Sequence, residues 1–102
     1  MGNKDIHIDY SKDFDFNSKE RFLTYLGDEK IIFVGYKKYD GPITMQFLPN
    51  GGIQSVFGYK LIVKVNNGFL EVNELIYNGK LMTSKEFIEL KNDVSLVNQV
   101  LE

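Results

Sequence analysis

Cysteine and tryptophan are absent from these 102 residues, histidine and arginine occur once each, and proline occurs twice. Without cysteine the chain has no disulfide, no thiolate metal site and no cysteine nucleophile, and an intracellular setting is favoured. With His7 as the only histidine, no Ser-His-Asp or similar nucleophile set can be assembled. Arg21 is the only arginine, so bidentate reading of phosphates or guanines is not expected. No apolar run approaches the roughly 18 residues of a membrane span. "MGNKDIHIDY" lacks the apolar core of a signal peptide. The expectation is therefore a cytoplasmic protein with no membrane partner. "GDEK" and "NGGIQS" contain no phosphate-cradling loop followed by Lys-Ser/Thr, and no cofactor is expected.

What is present is core-forming material. Hydrophobic residues make up 43 % of the chain and aromatics 14 %, all Phe or Tyr, which favour strands. Disorder of the body is thereby excluded. The length is that of one domain over 1–102: a loosely ordered 1–13, a body over 14–91 and a C-terminal helical extension over 92–102. Net charge is −2, so nucleic-acid binding would need a local basic patch rather than a field over the whole molecule.

Pattern and punctuation give an order of elements. "FNSKERFLTYLGDE" predicts a helix: Asn17 and Glu20 form a capping box, Phe22, Leu23 and Leu26 an apolar face, and Gly27 a stop. From Lys30 to Tyr77 about five short antiparallel strands follow. These are "KIIFVGY", "PITMQFL" (Ile43, Met45 and Phe47 on one side), "IQSVF", "YKLIVKV" and the run ending at Tyr77. Gly58 marks a bulge or a bend. "NNG" at 66–68 and "NG" at 78–79 predict hairpin turns. Thr83 and Glu86 make a second capping box leading into "KEFIELK", and "VSLVNQVLE" predicts a last helical stretch. The fold class expected is mainly β (α+β). It is a small antiparallel OB-like barrel or coiled sheet, with an N-terminal helix and C-terminal helical segments.

The stretch "GGIQSVFGYKLIVKVNNGFLEVNELIYNGKLMTSKEF" resembles the C-terminal domain of the formyltransferase family, typified by methionyl-tRNA formyltransferase. Gly52-Ile53, "LIVKV", Asn67-Gly68, Leu70, Val72, Glu74-Leu75, Gly79-Lys80, Met82 and Glu86-Phe87 carry the resemblance. The pattern departs at Ile76, where the family usually has Gln, and at Leu81, where a basic residue is common. The resemblance implies an OB-like accessory domain. It would hold tRNA or another substrate, or pack on a catalytic formyltransferase domain, a domain that these 102 residues do not contain. Catalysis by this chain alone is not expected.

Several residues are candidates on chemistry. Read with period two, Leu70, Val72, Glu74 and Ile76 share one side, which puts a carboxylate in an apolar set. A general acid would need a second titratable group beside it. A structural Glu74 would pair with Lys80 or bond the turn at 78–80, unless a bulge rotates it outward. The structural pair Glu74 and Lys80 is the expectation. Asp5, His7 and Asp9 fall on one strand face, the arrangement of a weak metal site or, more simply, of a solvated edge. Asp9, Asp13 and Asp15 lack the glycine and bidentate Glu of a calcium loop, while Phe14 and Phe16 anchor that segment. Lys37, Lys38, Lys60 and Lys64, with Tyr36 and Tyr39, form a candidate RNA or partner surface, since lysines contact phosphates and tyrosines stack on bases. The alternative function is a small protein-binding module of inhibitor or immunity type, with no nucleic-acid role.

Overall fold

A computed structural model describes residues 5–42, 48–55, 60–91, 96 and 99–102. The chain is mainly β, in agreement with its composition. The strands are β1 (Ile6–His7), β2 (Phe22–Leu26), β3 (Glu29–Lys38), β4 (Ile53–Ser55), β5 (Leu61–Val65), β6 (Gly68–Tyr77) and β7 (Lys80–Thr83), followed by helix α1 (Ser84–Lys91). They form one sheet in the order β1-β2-β3-β6-β5-β4. β5 pairs with β6 at residues 68–72 and β7 pairs with it at 74–77, end to end along one edge. All pairings are antiparallel except β1 with β2. The strand expected over 42–48 and the corner at Gly58 fall largely or wholly outside the described residues.

The ladder of strands does not close into a barrel, because β4 and β2 are not paired with each other. The segment Gln99–Glu102 lies in the gap between them. On one side Ile53 N–H donates to Gln99 O (2.8 Å) and Leu101 N–H to Gly51 O (2.8 Å). On the other, Tyr25 N–H donates to Glu102 O (2.8 Å) and Glu102 N–H to Tyr25 O (2.9 Å). Leu101, 2 % exposed, enters the core from this strap. The helical stretch expected over 94–102 is therefore corrected for 99–102, which are extended. A helix would turn these peptide groups onto each other, whereas here they satisfy two open strand edges.

The N-terminal helix expected over residues 17–26 is also corrected. Asn17 N–H donates to Asp15 Oδ1 and Glu20 N–H to Ser18 Oγ, so neither capping-box residue caps a helix. Residues 22–26 instead pair with 29–33 across a tight turn at Gly27-Asp28. Gly27 has φ +62°, a positive value that both a helix stop and the first central position of a II′ hairpin turn require. Pairing with β3 decides between them, since it buries Thr24 and Leu26 and places Leu23 and Tyr25 outside.

Two register shifts break the β3–β6 ladder, on either side of the Gly35–Glu74 pair. Val34 is the extra residue on β3 and Asn73 on β6, so the alternation of β6 changes phase there. Leu70 and Val72 point inward before the bulge, Leu75 and Tyr77 after it. Glu74 is turned out and exposed. The expectation of Glu74 within the apolar set is thus corrected by the bulge.

The core between the sheet and α1 gathers Ile31, Phe33, Leu61, Val63, Val65, Leu75, Met82, Phe87 and Ile88. The rings of Phe14, Phe16, Phe22 and Tyr36 pack together at one rim, so Phe14 and Phe16 anchor their segment as expected. The Asn67 side chain clamps that segment by accepting from Phe14 N–H (2.9 Å) and donating to Phe14 O (3.0 Å). At 78–79 the predicted turn forms, with Asn78 at φ +54°. The second capping box forms as well: Thr83 N–H donates to Glu86 Oε1 (2.9 Å) and Glu86 N–H to Thr83 Oγ1 (3.2 Å). These bonds hold the Glu86 carboxyl below the usual range. At the far end of α1, Lys91 Nζ donates to Glu29 Oε1 (2.6 Å) and Tyr77 O–H to Glu29 Oε2 (2.6 Å).

Candidate interaction surface

The expected basic and aromatic residues do not assemble into one surface. Alternation places Lys37, Lys60 and Lys64 on the outer face of the sheet, and Tyr36 and Lys38 on the inner side at its rim. Lys37 stands directly opposite Glu71 in the ladder. Lys38 Nζ lies over the Phe16 ring, 5.8 Å from its centroid. Lys64 Nζ donates to Asn50 Oδ1 (3.2 Å) and Val65 O (2.9 Å) and lies over Phe69. Tyr36 is half-buried in the ring cluster and donates to Glu20 O (2.5 Å). Desolvation pushes its phenol pKa up. Tyr39 O–H donates to Pro42 O (2.9 Å). Of the six residues, Lys37 and Lys60 are exposed with no hydrogen bond, ion pair or ring contact among the described residues.

Glu74 and Lys80 do not pair either. Glu74 is opposite Thr83 and Lys80 opposite Tyr77, a separation of three residues, or roughly 10 Å along the hairpin. The Glu74 carboxylate lies instead above Gly35, whose missing side chain leaves room for it: a Cβ there would sit 3.3 Å from Glu74 Oε1. Asp5 is 3.2 Å from Arg21 Nε, and His7 meets the Tyr25 ring edge-on at 5.7 Å. Asp9 accepts from Ser11 N–H and O–H, which lowers its carboxyl pKa. Among the described residues no group of three or more metal-ligating side chains forms. No described helix is long and apolar enough to cross a membrane.

A cleft of about 550 Å³ opens where β1 leaves the sheet, between residues 7–10, Asn50 and 100–102. Several of its polar groups bond one another. Thr24 O–H donates to Glu102 O (3.0 Å), so the 2.9 Å contact with Tyr10 is donated by the phenol. Burial drives the Tyr10 pKa upward, and Asn50 Nδ2 donates to Tyr10 O (2.8 Å). Glu74 is not in this cleft, whose titratable lining residues are His7, Asp9, Tyr10 and Glu102.

The outer face of the β2-β3-β6-β7 half carries a feature absent from the sequence expectations. Register aligns Leu23 with Ile32, Ile32 with Ile76, and Ile76 with Leu81. Four apolar side chains therefore form one row perpendicular to the strands, with His7 beside Leu23 at its end. Leu81 is 59 % exposed, Leu23 and Ile76 are half-buried, and Ile32 is only 7 % exposed, so the row is accessible chiefly at Leu81 and along Leu23 and Ile76. One flank of the row holds Tyr25 and Lys30, paired across β2 and β3. The other holds Arg21 with its Asp5 partner, then Val34 and Glu74. The signal available in the sequence is the run of adjacent apolar residues, "FL", "IIF" and "LI". On a strand such runs give both faces an apolar side chain.

Comparison with protein-family models, with curated proteins and with solved structures gives no match for this chain.

Proposed function

We propose that this chain is a protein-binding module that acts by contact and carries no catalysis of its own. The observation that supports it is the row Leu23, Ile32, Ile76 and Leu81 on an outer sheet face, where Leu81 is exposed, Leu23 and Ile76 are half-buried and Ile32 is buried between them. Contiguous exposed apolar surface of this kind, with a polar rim, suits protein contact. An accessory role resembling the formyltransferase C-terminal domain, packed against a catalytic domain, is one form of the same reading. Two of the departures from that pattern, Ile76 and Leu81, lie in the row.

The tRNA-positioning form of the accessory role rests on Lys37, Lys60 and Lys64 sharing the outer face. The contacts of Lys64 with Asn50 and Phe69, and a carboxylate at Glu71 opposite Lys37 in the ladder, leave that form only Lys37 and Lys60 as exposed cations on this face. One experiment separates the readings. A photo-crosslinking residue is placed at 81 or at 60 in the protein's own cells. A discrete polypeptide adduct from 81, absent from 60 and lost on Ile76→Asp, supports protein contact. RNA adducts from 60, or none of any kind from 81, overturn it. Anisotropy with labelled tRNA checks the same point, because phosphate contact would weaken steeply with salt.

A further inference from the structure

We infer that the partner for the apolar row is a second copy of this chain, docked face to face about a two-fold axis lying along the row. The inference rests on the protein-contact reading above and goes further by naming the occupant. Its basis is that the surface is complementary to itself. An axis along the row leaves each residue's position along the row unchanged and reverses the strand direction. Leu23, Ile32, Ile76 and Leu81 of one copy then face the same residues of the other, the isologous arrangement of closed dimers.

The same operation exchanges the two flanks, and the flanks are opposite in character. Lys30, exposed on the outer side of β3, is carried over the place where Val34 and Gly35 of the other copy lie. Glu74 is paired with Gly35 on the adjacent strand, roughly 4.8 Å to the side. At a sheet separation of roughly 10 Å, a lysine and a glutamate reaching towards each other meet. Tyr25 is carried over Arg21, ring over guanidinium, a favourable pairing. Each contact occurs twice by symmetry. An axis along the strands would instead set Lys30 near Lys30 and Glu74 near Glu74, so the charges select the first arrangement. Aligned packing of twisted sheets accommodates it.

The footprint sets the strength. Four strands by three rows cover roughly 400 Å² per copy, about half of the ~800 Å² per partner of a standard interface. The dimer is therefore a weak one, at the size of transient encounters rather than of obligate dimers.

Sedimentation equilibrium from about 10 μM to 1 mM tests this on the wild type, Lys30→Glu, Glu74→Lys, the double exchange and Leu81→Lys. Lys30, Glu74 and Leu81 are exposed, so each variant keeps the fold, which a thermal melt verifies. The expected pattern is a concentration-dependent dimer in the wild type and about tenfold weaker association in each charge variant, where like charges now face each other. The double exchange restores association to within about threefold, and Leu81→Lys abolishes it. A wild type that is monomeric throughout, or single exchanges without effect, overturns the second copy as occupant. If a polypeptide adduct of a different protein still forms from position 81, the protein-contact reading survives that failure. If no adduct of any kind forms there, that reading falls independently.

Discussion

The strap Gln99–Glu102 gives the sharpest test of how this sheet is held, through Gly51→Ala. Gly51 has φ +92°, and a Cβ added there would lie 2.4 Å from Leu101 O. Side-chain Cβ atoms essentially never approach closer than 3.0 Å, so strap and loop must separate. The bonds at risk are Leu101 N–H to Gly51 O and Ile53 N–H to Gln99 O, both 2.8 Å. Left-handed backbone costs an alanine about 1–2 kcal/mol, and each hydrogen bond lost about 1 kcal/mol net. The sum is about 3–4 kcal/mol, a large part of the ~5–15 kcal/mol available to a domain. Gly27→Ala is the control, because Gly27 also has positive φ (+62°) but nothing within 4 Å of the added Cβ. It should cost only the conformational ~1–2 kcal/mol. Urea denaturation of both variants gives the difference. Hydrogen exchange then locates it: the amides of Tyr25 and Leu101 should lose protection well before those in the middle of β6. If Gly51→Ala costs no more than Gly27→Ala, or the Tyr25 amide stays protected, the strap does not bridge the sheet edges as argued.

Other consequences follow from local contacts. Thr83→Ala removes one half of the capping box and should cost about 1 kcal/mol by thermal or chemical denaturation, while Thr83→Ser should retain most of it. Asn67→Ala leaves the N–H and C=O of Phe14 without their clamp and should cost about 2 kcal/mol, with the loss seen in the exchange of the Phe14 amide. The Glu29 carboxyl sits below its ordinary value of 4.5, chiefly through hydrogen bonds from Lys91 and Tyr77. The Lys91 pKa is raised above 10.5, chiefly by Glu29. The depressed carboxyl contributes stability that is present above the unfolded value and lost as pH falls through the folded one. The raised ammonium contributes stability that is complete below 10.5 and lost as pH rises through its folded value. The stability difference between wild type and Glu29→Gln should accordingly shrink as pH falls from 4.5 through the lowered folded value, and a difference that grows on acidification would contradict the sign.

Expectation and structure part company at identifiable residues. Where a feature depends on neighbours a few positions away, sequence reasoning suffices. The Asn78-Gly79 turn forms because Asn and Gly tolerate positive φ. The capping box forms because Thr83 and Glu86 are three residues apart, and the alternation of β5 places Leu61, Val63 and Val65 inward. Features that depend on distant pairing do not yield to it. Gly27 is locally compatible with a helix stop and with a hairpin, and only the burial gained by pairing β2 with β3 selects the hairpin. The phase of Glu74 depends on a bulge whose extra residues, Val34 and Asn73, lie on two strands far apart in sequence.

The lysines show the same limit from the functional side. Their number and spacing are plain in the chain, but the partners that occupy Lys38 and Lys64, namely Phe16, Asn50 and Phe69, arrive through the fold. By itself the sequence determined a strand-rich, cysteine-free domain with a capped helix and several of its turns, because composition and short-range backbone chemistry decide those. Tertiary structure alone decided that Gln99–Glu102 would span the open sheet and that four separate apolar residues would align into an outer row. Both are products of strand register, which is set by nonlocal hydrogen bonds and the burial they bring.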